Sequence, residues 1–222
     1  MMFLYIILIL LCLYILFIAF KSFRKNEFGM FWFNFWKYPL GLIFRFYYPF
    51  KTDKKYEIPD EGPVLFCGNH IHIMDQCLAI LNTSRPVHYM AKIEYFQDRK
   101  VSWFFKMMGC IPVNRQIHDE NAKEKAIEVL EEGLALGIFP EGTRNKTKEL
   151  LQPFKFGAVS MAKKTNATIV PYAITGEYKF RTKNLKITFG EPFKISEDMD
   201  LEEANEKLYN IILDIIKKEK NK

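Results

Sequence analysis

His70 and Asp75 stand five positions apart in Asn69-His70-Ile71-His72-Ile73-Met74-Asp75, directly after the apolar run Pro63 to Cys67. An imidazole is the side chain best suited to take a proton near neutral pH, and a carboxylate can fix its tautomer and orientation. On one regular helix, residues five apart point roughly 140° away from each other, so the pair cannot easily meet there. It can meet if His70 lies in a loop and Asp75 in the first turn of the following helix, where a carboxylate also suits the dipole. A strand, a short loop and a helix start would then hold a general base and its orienting acid together.

Three further blocks carry groups that bind anions or approach a ligand. Lys106-Met107-Met108-Gly109-Cys110-Ile111-Pro112-Val113-Asn114-Arg115 is an apolar strand between two cations. Arg115, at a strand end, can fork onto a phosphate or carboxylate, and Lys106 adds a point charge. Phe139-Pro140-Glu141-Gly142-Thr143-Arg144 runs from an apolar strand into Gly142, which lets backbone come close to a ligand. Thr143 and Arg144 add donors, and Glu141 can hold a cationic side chain or a substrate hydroxyl. The same six residues also read as a solvated turn. In Ile169-Val170-Pro171-Tyr172-Ala173-Ile174 the proline implies an edge strand or a bulge, and plain core is the competing reading.

No metal is expected. His70-x-His72 is partly similar to the His-x-His-x-Asp-His signature of the metallo-β-lactamase fold. Met74 stands where that signature has its Asp, and only His88 and His118 remain as further imidazoles. A catalytic zinc wants three protein ligands with supporting partners. His72 reads as a loop histidine.

The elements that must position these blocks follow from periodicity. Pro63 to Cys67, Val87 to Met90, Cys110 to Val113, the stretch ending at Pro140, Thr168 to Ile174 and Leu185 to Phe189 read as strands. Asp75 to Leu81, Val101 to Met108, Asn121 to Leu136, Phe154 to Lys164 and Leu201 to Lys218 read as helices. Alternation of the two predicts an α/β fold, a single domain over 56–222 with a mixed sheet flanked by helices. Thr52 to Gly62 reads as a linker.

The front of the chain, 1–55, reads as a membrane-associating helical motif. Met1 to Phe20 carries no charge, and 20 such residues match about one hydrocarbon thickness as a helix. It lacks the basic start and small-residue exit of a cleavable signal, so it is expected to stay. Lys21, Arg24 and Lys25 follow, which by the positive-inside rule puts the rest of the chain on the cytoplasmic face of the cell membrane. From Phe28 to Phe50, 12 of 23 residues are aromatic, interrupted by Pro39 and Pro49, with Lys37, Arg45 and Lys51 able to snorkel to phosphates. One or two amphipathic helices lying in the interface are expected, and the two segments could also form a hairpin in one leaflet. The whole net charge of +6 sits here: residues 1–55 hold 8 Lys/Arg and 2 Asp/Glu, and the remainder balances. That argues against a basic nucleic-acid-binding domain and for an anionic membrane surface as partner. The 4 cysteines show no ligand spacing and read as reduced thiols. Lys179, Arg181, Lys183 and Lys186 form a basic patch or a solvated face.

Taken in order, the four blocks resemble the glycerolipid acyltransferase family. Its pattern is Asn-His-x4-Asp, then Gly-x-Ile-x-x-x-Arg, then Phe-Pro-Glu-Gly-Thr-Arg, then an apolar block with a central Pro. The matches are Asn69, His70 and Asp75; Gly109, Ile111 and Arg115; Phe139 to Arg144 without a gap; and Val170-Pro171, over about half of the chain. The resemblance implies transfer of a fatty acyl group from an acyl-CoA or acyl carrier protein thioester to the free hydroxyl of lysophosphatidic acid, without a cofactor. Other acceptors (glycerol-3-phosphate, another lysophospholipid or a glycolipid) are the alternative. It implies His70 as general base and Asp75 as its orienting partner. Arg115 and Arg144, with Lys106, would clamp the phosphate beside Gly142 and Thr143, and Glu141 would orient those cations or the glycerol. Backbone N–H groups near Gly142 or in the His70 loop would receive the oxyanion, and Val170 and Pro171 are acyl-site candidates. A hydrolase using the same dyad is the rival chemistry, although no Gly-x-Ser-x-Gly elbow is present. A non-catalytic lipid-binding protein is the third possibility.

Overall fold

The computed structural model describes residues 2–23, 28–114, 116, 117 and 119–221. Two helices, α1 (Met2–Phe23) and α2 (Phe28–Tyr47), precede β1 (Phe50–Asp53) and β2 (Val64–Gly68). Then come α3 (Asp75–Leu81), β3 (Val87–Lys92), α4 (Glu94–Gln97), α5 (Ser102–Met107), β4 (Ile111–Val113), α6 (Glu120–Glu131) and β5 (Ala135–Ile138). The chain closes with α7 (Gly157–Thr165), β6 (Thr168–Thr175), β7 (Leu185–Phe189) and α8 (Leu201–Lys220). The strands form one seven-stranded mixed sheet in the order β1-β7-β6-β2-β5-β3-β4. Strands β6, β2, β5, β3 and β4 run parallel, and β7 is antiparallel to β6. The expected α/β fold is therefore present.

The sheet is buried on both faces, as parallel sheets are. Leu65, Cys67, Leu136, Ile169 and Ala173 face one layer, built from α6, α7 and α8. Val64, Phe66, Tyr89, Val170, Tyr172 and Ile174 face the other, which receives Leu78 and Ala79 of α3 and Phe44 of α2. Because β2 pairs with β5 and β6, the loops leaving the carboxyl ends of these three strands emerge side by side. Ligand sites of open α/β sheets form at such an edge.

Several expectations are corrected. The stretch from Thr52 is not linker at its start, since Phe50 to Asp53 pair in parallel with Leu185 to Thr188. An edge strand of four residues, mostly outside the core, has no period long enough to announce itself. The run Asn121 to Leu136 divides: α6 ends at Glu131, the chain turns at Gly133, and Ala135 onward enters the sheet. Pro171 sits on an interior strand, opposite Cys67, so the edge reading fails. The bulge lies in its neighbour: between the Tyr172–Phe189 pair and the Ile169–Phe193 bridge, β6 has two residues and the partner segment three. That mismatch removes the demand for an N–H at Pro171, whose carbonyl still accepts from Gly190 at 2.8 Å.

Pro39 does not break α2. A helix proline leaves the carbonyl four residues earlier without its partner. Here that carbonyl is Phe35's, and the Tyr14 hydroxyl of α1 donates to it. Helices α1 and α2 thus form a hairpin, with Phe17 packed edge-on against Tyr38. One stripe of α2, Phe33, Lys37, Gly41 and Phe44, is buried. Gly41 is required by close approach, since a Cβ there would lie 2.5 Å from Leu81. Lys37 does not reach outward as expected: it is buried and donates to the Thr83 carbonyl. The opposite side of α2 and most of α1 are apolar and exposed. Among residues with described side chains no helix is long and apolar enough to cross a membrane. In α1 those residues run from 5 to 18, about 21 Å of helix. Arg24 and Lys25 lie outside the described residues.

Candidate active site

The loop from Asn69 to Met74 joins β2 to α3, and Asp75 opens the helix. His70 Nδ1 lies 2.8 Å from Asp75 Oδ2. The same oxygen accepts the N–H of Ile71 at 2.6 Å and of His72 at 2.7 Å. Asp75 Oδ1 accepts the Tyr178 hydroxyl at 2.7 Å. Asp75 has no solvent exposure. Four donors on one carboxylate are what a buried charge requires. The carboxylate also folds the loop back onto the helix start, which is how the chain overcomes the five-residue separation.

A carboxylate only accepts, so His70 donates through Nδ1 and keeps its lone pair on Nε2. The ring is fixed on its face as well, stacked on Phe139 with centroids 4.1 Å apart and planes within 8°. Asn69 secures the start of the loop. Its Nδ2 donates to the Ile174 carbonyl at 2.9 Å and its Oδ1 accepts the Ile174 N–H at 2.7 Å, tying the loop to β6 as a strand would.

Glu141 is 3 % exposed and faces inward. Its Oε1 accepts the His70 N–H at 2.7 Å and its Oε2 the Gln152 N–H at 3.0 Å. Burial pushes its carboxyl up, and these two N–H bonds oppose that. Glu141 joins the His70 loop to the loop after β5. Asn145 reinforces the joint, its N–H donating to the His70 carbonyl at 2.6 Å.

The rest of the Phe139–Arg144 block turns outward. Gly142 has φ +72°, and a Cβ there would sit 3.0 Å from Lys155 Cε. Left-handed backbone and close approach both select glycine. Thr143 and Arg144 are exposed beside it. Burial holds the His72 imidazole below its ordinary value; Asp75 opposes this and the Arg144 charge adds to it. Arg144 thus stands on the dyad's side of the molecule. His72 stacks on Tyr178, with ring centroids 4.1 Å apart, and accepts the Met74 N–H.

The N–H groups expected to receive an oxyanion are mostly engaged: those of His70, Ile71 and His72 by carboxylates, and that of Gly142 by the Phe139 carbonyl. Among the described residues nothing takes up the N–H of Thr143 or Arg144.

The remaining expected site residues are less concentrated. Lys106 is exposed in the last turn of α5, and no described bond ties it to the dyad. Arg115 lies outside the described residues; it follows Asn114 just beyond β4, and the Asn114 N–H is held by Asp119 at 2.8 Å. Val170 and Pro171 are buried, Val170 in the layer of α2 and α3, while Pro171 approaches the α8 side next to Gly190. They do not line one cavity. Lys186 leaves the expected basic patch, being paired with Glu219 at 2.8 Å and Asp53 at 3.2 Å.

Sequence reasoning missed Tyr178, Gln152 and Lys155, which touch the site from loops remote in the chain. It also passed over Lys92, which ends β3 on the same carboxyl edge, opposite Val113. Only their place after a strand, or before α7, could have drawn attention to them.

Residues 50–175 match the family model described as Acyltransferase. The chain is 38 % identical over 135 residues to the 1-acyl-sn-glycerol-3-phosphate acyltransferase of Borreliella burgdorferi, covering 60 % of this chain and 54 % of that protein. It is 34 % identical over 147 residues to the protein of the same description from Bacillus subtilis, covering 64 % and 72 %. The chain thus spans about half the length of the first relative. Its fold is similar to the crystal structure of the 1-acyl-sn-glycerophosphate (LPA) acyltransferase PlsC from Thermotoga maritima, with TM-score 0.71, 22 % identity and 96 % of each chain covered.

Proposed function

The chain belongs to the acyltransferase family, and on that premise we propose that it transfers a fatty acyl group from an acyl thioester to the free hydroxyl of lysophosphatidic acid, giving phosphatidic acid. The observation that carries the chemistry is the 2.8 Å contact between His70 and Asp75 with His70 Nε2 left for a substrate. The activity of these relatives, 1-acyl-sn-glycerol-3-phosphate acyltransferases by name, supplies the acceptor.

In this reading His70 Nε2 takes the proton of the acceptor hydroxyl as its oxygen attacks the thioester carbonyl. A hydroxyl is a weak nucleophile near neutral pH, and a positioned base is the remedy. Asp75 holds the tautomer and stabilises the imidazolium that forms. The carbonyl oxygen gains charge, and the open N–H groups of Thr143 and Arg144 are the backbone donors beside the dyad. Collapse of the tetrahedral intermediate expels the thiolate, which takes the proton from His70. Arg144 and Arg115, joined by Lys106 if the acceptor reaches it, hold the phosphate. Neither a covalent enzyme intermediate nor a cofactor enters; the donor is acyl-CoA or acyl carrier protein. We assign the hairpin of α1 and α2, rather than all of 1–55, to membrane association on the cytoplasmic face, its exposed apolar surface turned to lipid.

The test is an assay on protein reconstituted in bilayers, with acyl-CoA and acyl carrier protein as donors and phosphorylated and unphosphorylated lysolipids as acceptors. His70→Ala is expected to lower the rate by about two to four orders of magnitude. Arg144→Ala is expected to lose activity chiefly on the phosphorylated acceptor. Free fatty acid as the product, or an Arg144→Ala enzyme equally impaired on both acceptors, overturns the assignment.

A further inference from the structure

The loop 176–184 between β6 and β7 has an outer side that the proposed chemistry does not use. Its inner residue, Tyr178, holds Asp75. Two residues on, Phe180 is 61 % exposed. It is not isolated: its ring packs edge-on against Phe46 at 6.2 Å and Tyr47 at 5.5 Å, both at the exposed end of α2. The Arg181 N–H donates to the Tyr47 carbonyl at 2.8 Å, and the Arg181 guanidinium lies 5.2 Å over the Phe46 ring. Arg181 takes a left-handed backbone, φ +56°, so the chain accepts local strain to make this turn. The loop is therefore fixed to α2, and Phe180 continues the apolar surface of Leu42, Ile43, Phe46 and Tyr47. Around it stand Lys179, Arg181 and Lys183, against one acidic residue, Glu177, which Lys179 already pairs at 2.6 Å. A large aromatic ring ringed by net positive charge fits one partner, an anionic phospholipid surface.

We propose that the β6–β7 loop is a second bilayer contact of this protein, with Phe180 inserted beside Phe46 and Tyr47 and with Arg181 and Lys183 on anionic headgroups. The proposal rests on the reading of α1 and α2 as lipid-facing and extends the contact to the loop that holds Asp75. Seating of the loop on lipid would then orient the carboxyl edge of the sheet toward the membrane plane, where a lysolipid acceptor resides.

Site-directed spin labelling tests it. On a Cys12→Ala background, a nitroxide at Phe180→Cys is compared with one at Leu42→Cys, on full-length protein bound to mixed phosphatidylcholine–phosphatidylglycerol vesicles. At position 180 the label is expected to become accessible to oxygen and shielded from a water-soluble nickel chelate, as at 42. Arg181→Gly with Lys183→Ser is expected to weaken binding to these vesicles by about fivefold per cation and to leave binding to pure phosphatidylcholine unchanged. Glycine keeps the left-handed backbone at 181, so folding is preserved. A label at 180 that stays nickel-accessible while the one at 42 is shielded overturns the loop contact alone. Exposure of both labels to nickel overturns the lipid-facing reading of α2 together with it.

Discussion

Asp75 is the residue on which the site turns. Four donors converge on its carboxylate, and only one of them is the His70 imidazole. The Tyr178 hydroxyl touches the oxygen His70 does not use, so it holds the carboxylate independently of the imidazole. Tyr178→Phe is expected to lower kcat about tenfold with little change in KM, the scale of ~1.5 kcal/mol for a hydrogen bond to a charged group. Steady-state kinetics in mixed vesicles decide it, and an unchanged kcat with a raised KM would mean that Tyr178 contacts the acceptor instead. A second consequence concerns His72, held below its ordinary value by burial. An imidazole depressed in the folded state contributes stability that is complete above about pH 6.5 and lost as pH falls through the folded value. Solvent screening at a partly exposed ring keeps the effect small. His72→Phe preserves a ring on Tyr178 and removes the proton site. Its urea-unfolding stability is expected to decline less than the parent's on acidification from neutrality, and parallel declines would exclude His72 as the titrating group.

At the scale of elements, the turn after β5 and the helix hairpin each rest on one local substitution for a missing interaction. Gly142 supplies the left-handed backbone that sends Glu141 inward and Arg144 outward. Gly142→Ala is expected to cost about 1–2 kcal/mol in stability through backbone strain. Crowding of Lys155 would displace Thr143 and Arg144 as well, so on the proposed function activity at subsaturating acceptor should fall further than stability, as paired melting curves and rate measurements would reveal. In α2, the Tyr14 hydroxyl replaces the N–H that Pro39 lacks. Tyr14→Phe should therefore loosen the hairpin by about 1–3 kcal/mol. Pro39→Ala restores a backbone donor to Phe35, so the double variant should recover most of that loss. Thermal unfolding in lipid nanodiscs measures the cycle; strict additivity would show that Tyr14 does not serve the proline gap.

For the whole molecule, an exposed apolar hairpin joined to a charge-balanced domain is the pattern expected of a protein that sits at a membrane surface. The chain is expected to float with phospholipid vesicles in a density gradient and to remain bound at 1 M salt, since apolar burial outlasts screening whereas headgroup attraction does not. Release of all protein by salt would mean that charge alone holds it. The same scale explains what was legible. Long periodic runs, Leu201 onward above all, and the alternation of helices with strands exposed the fold class, because burial on one face leaves a repeat in the residue order. The pairing of Phe50 to Asp53 with β7, and the interior place of Pro171 opposite Cys67, both depend on partners more than a hundred positions away. No local period records them.

The order of residues alone offered the candidate chemistry: an imidazole and a carboxylate at a spacing that a loop-to-helix junction can close, an uninterrupted Phe-Pro-Glu-Gly-Thr-Arg block, and an apolar, basic front end. Side-chain type and short-range spacing are local properties, so they survive in one dimension. Tertiary structure decided who serves whom. It made Glu141 a buried joint between two loops, took Lys37 and Lys186 out of the surface charge, and brought Tyr178 to Asp75 across 103 positions. Such roles depend on which strand ends lie side by side in the sheet, and that neighbourhood exists only once the chain is folded.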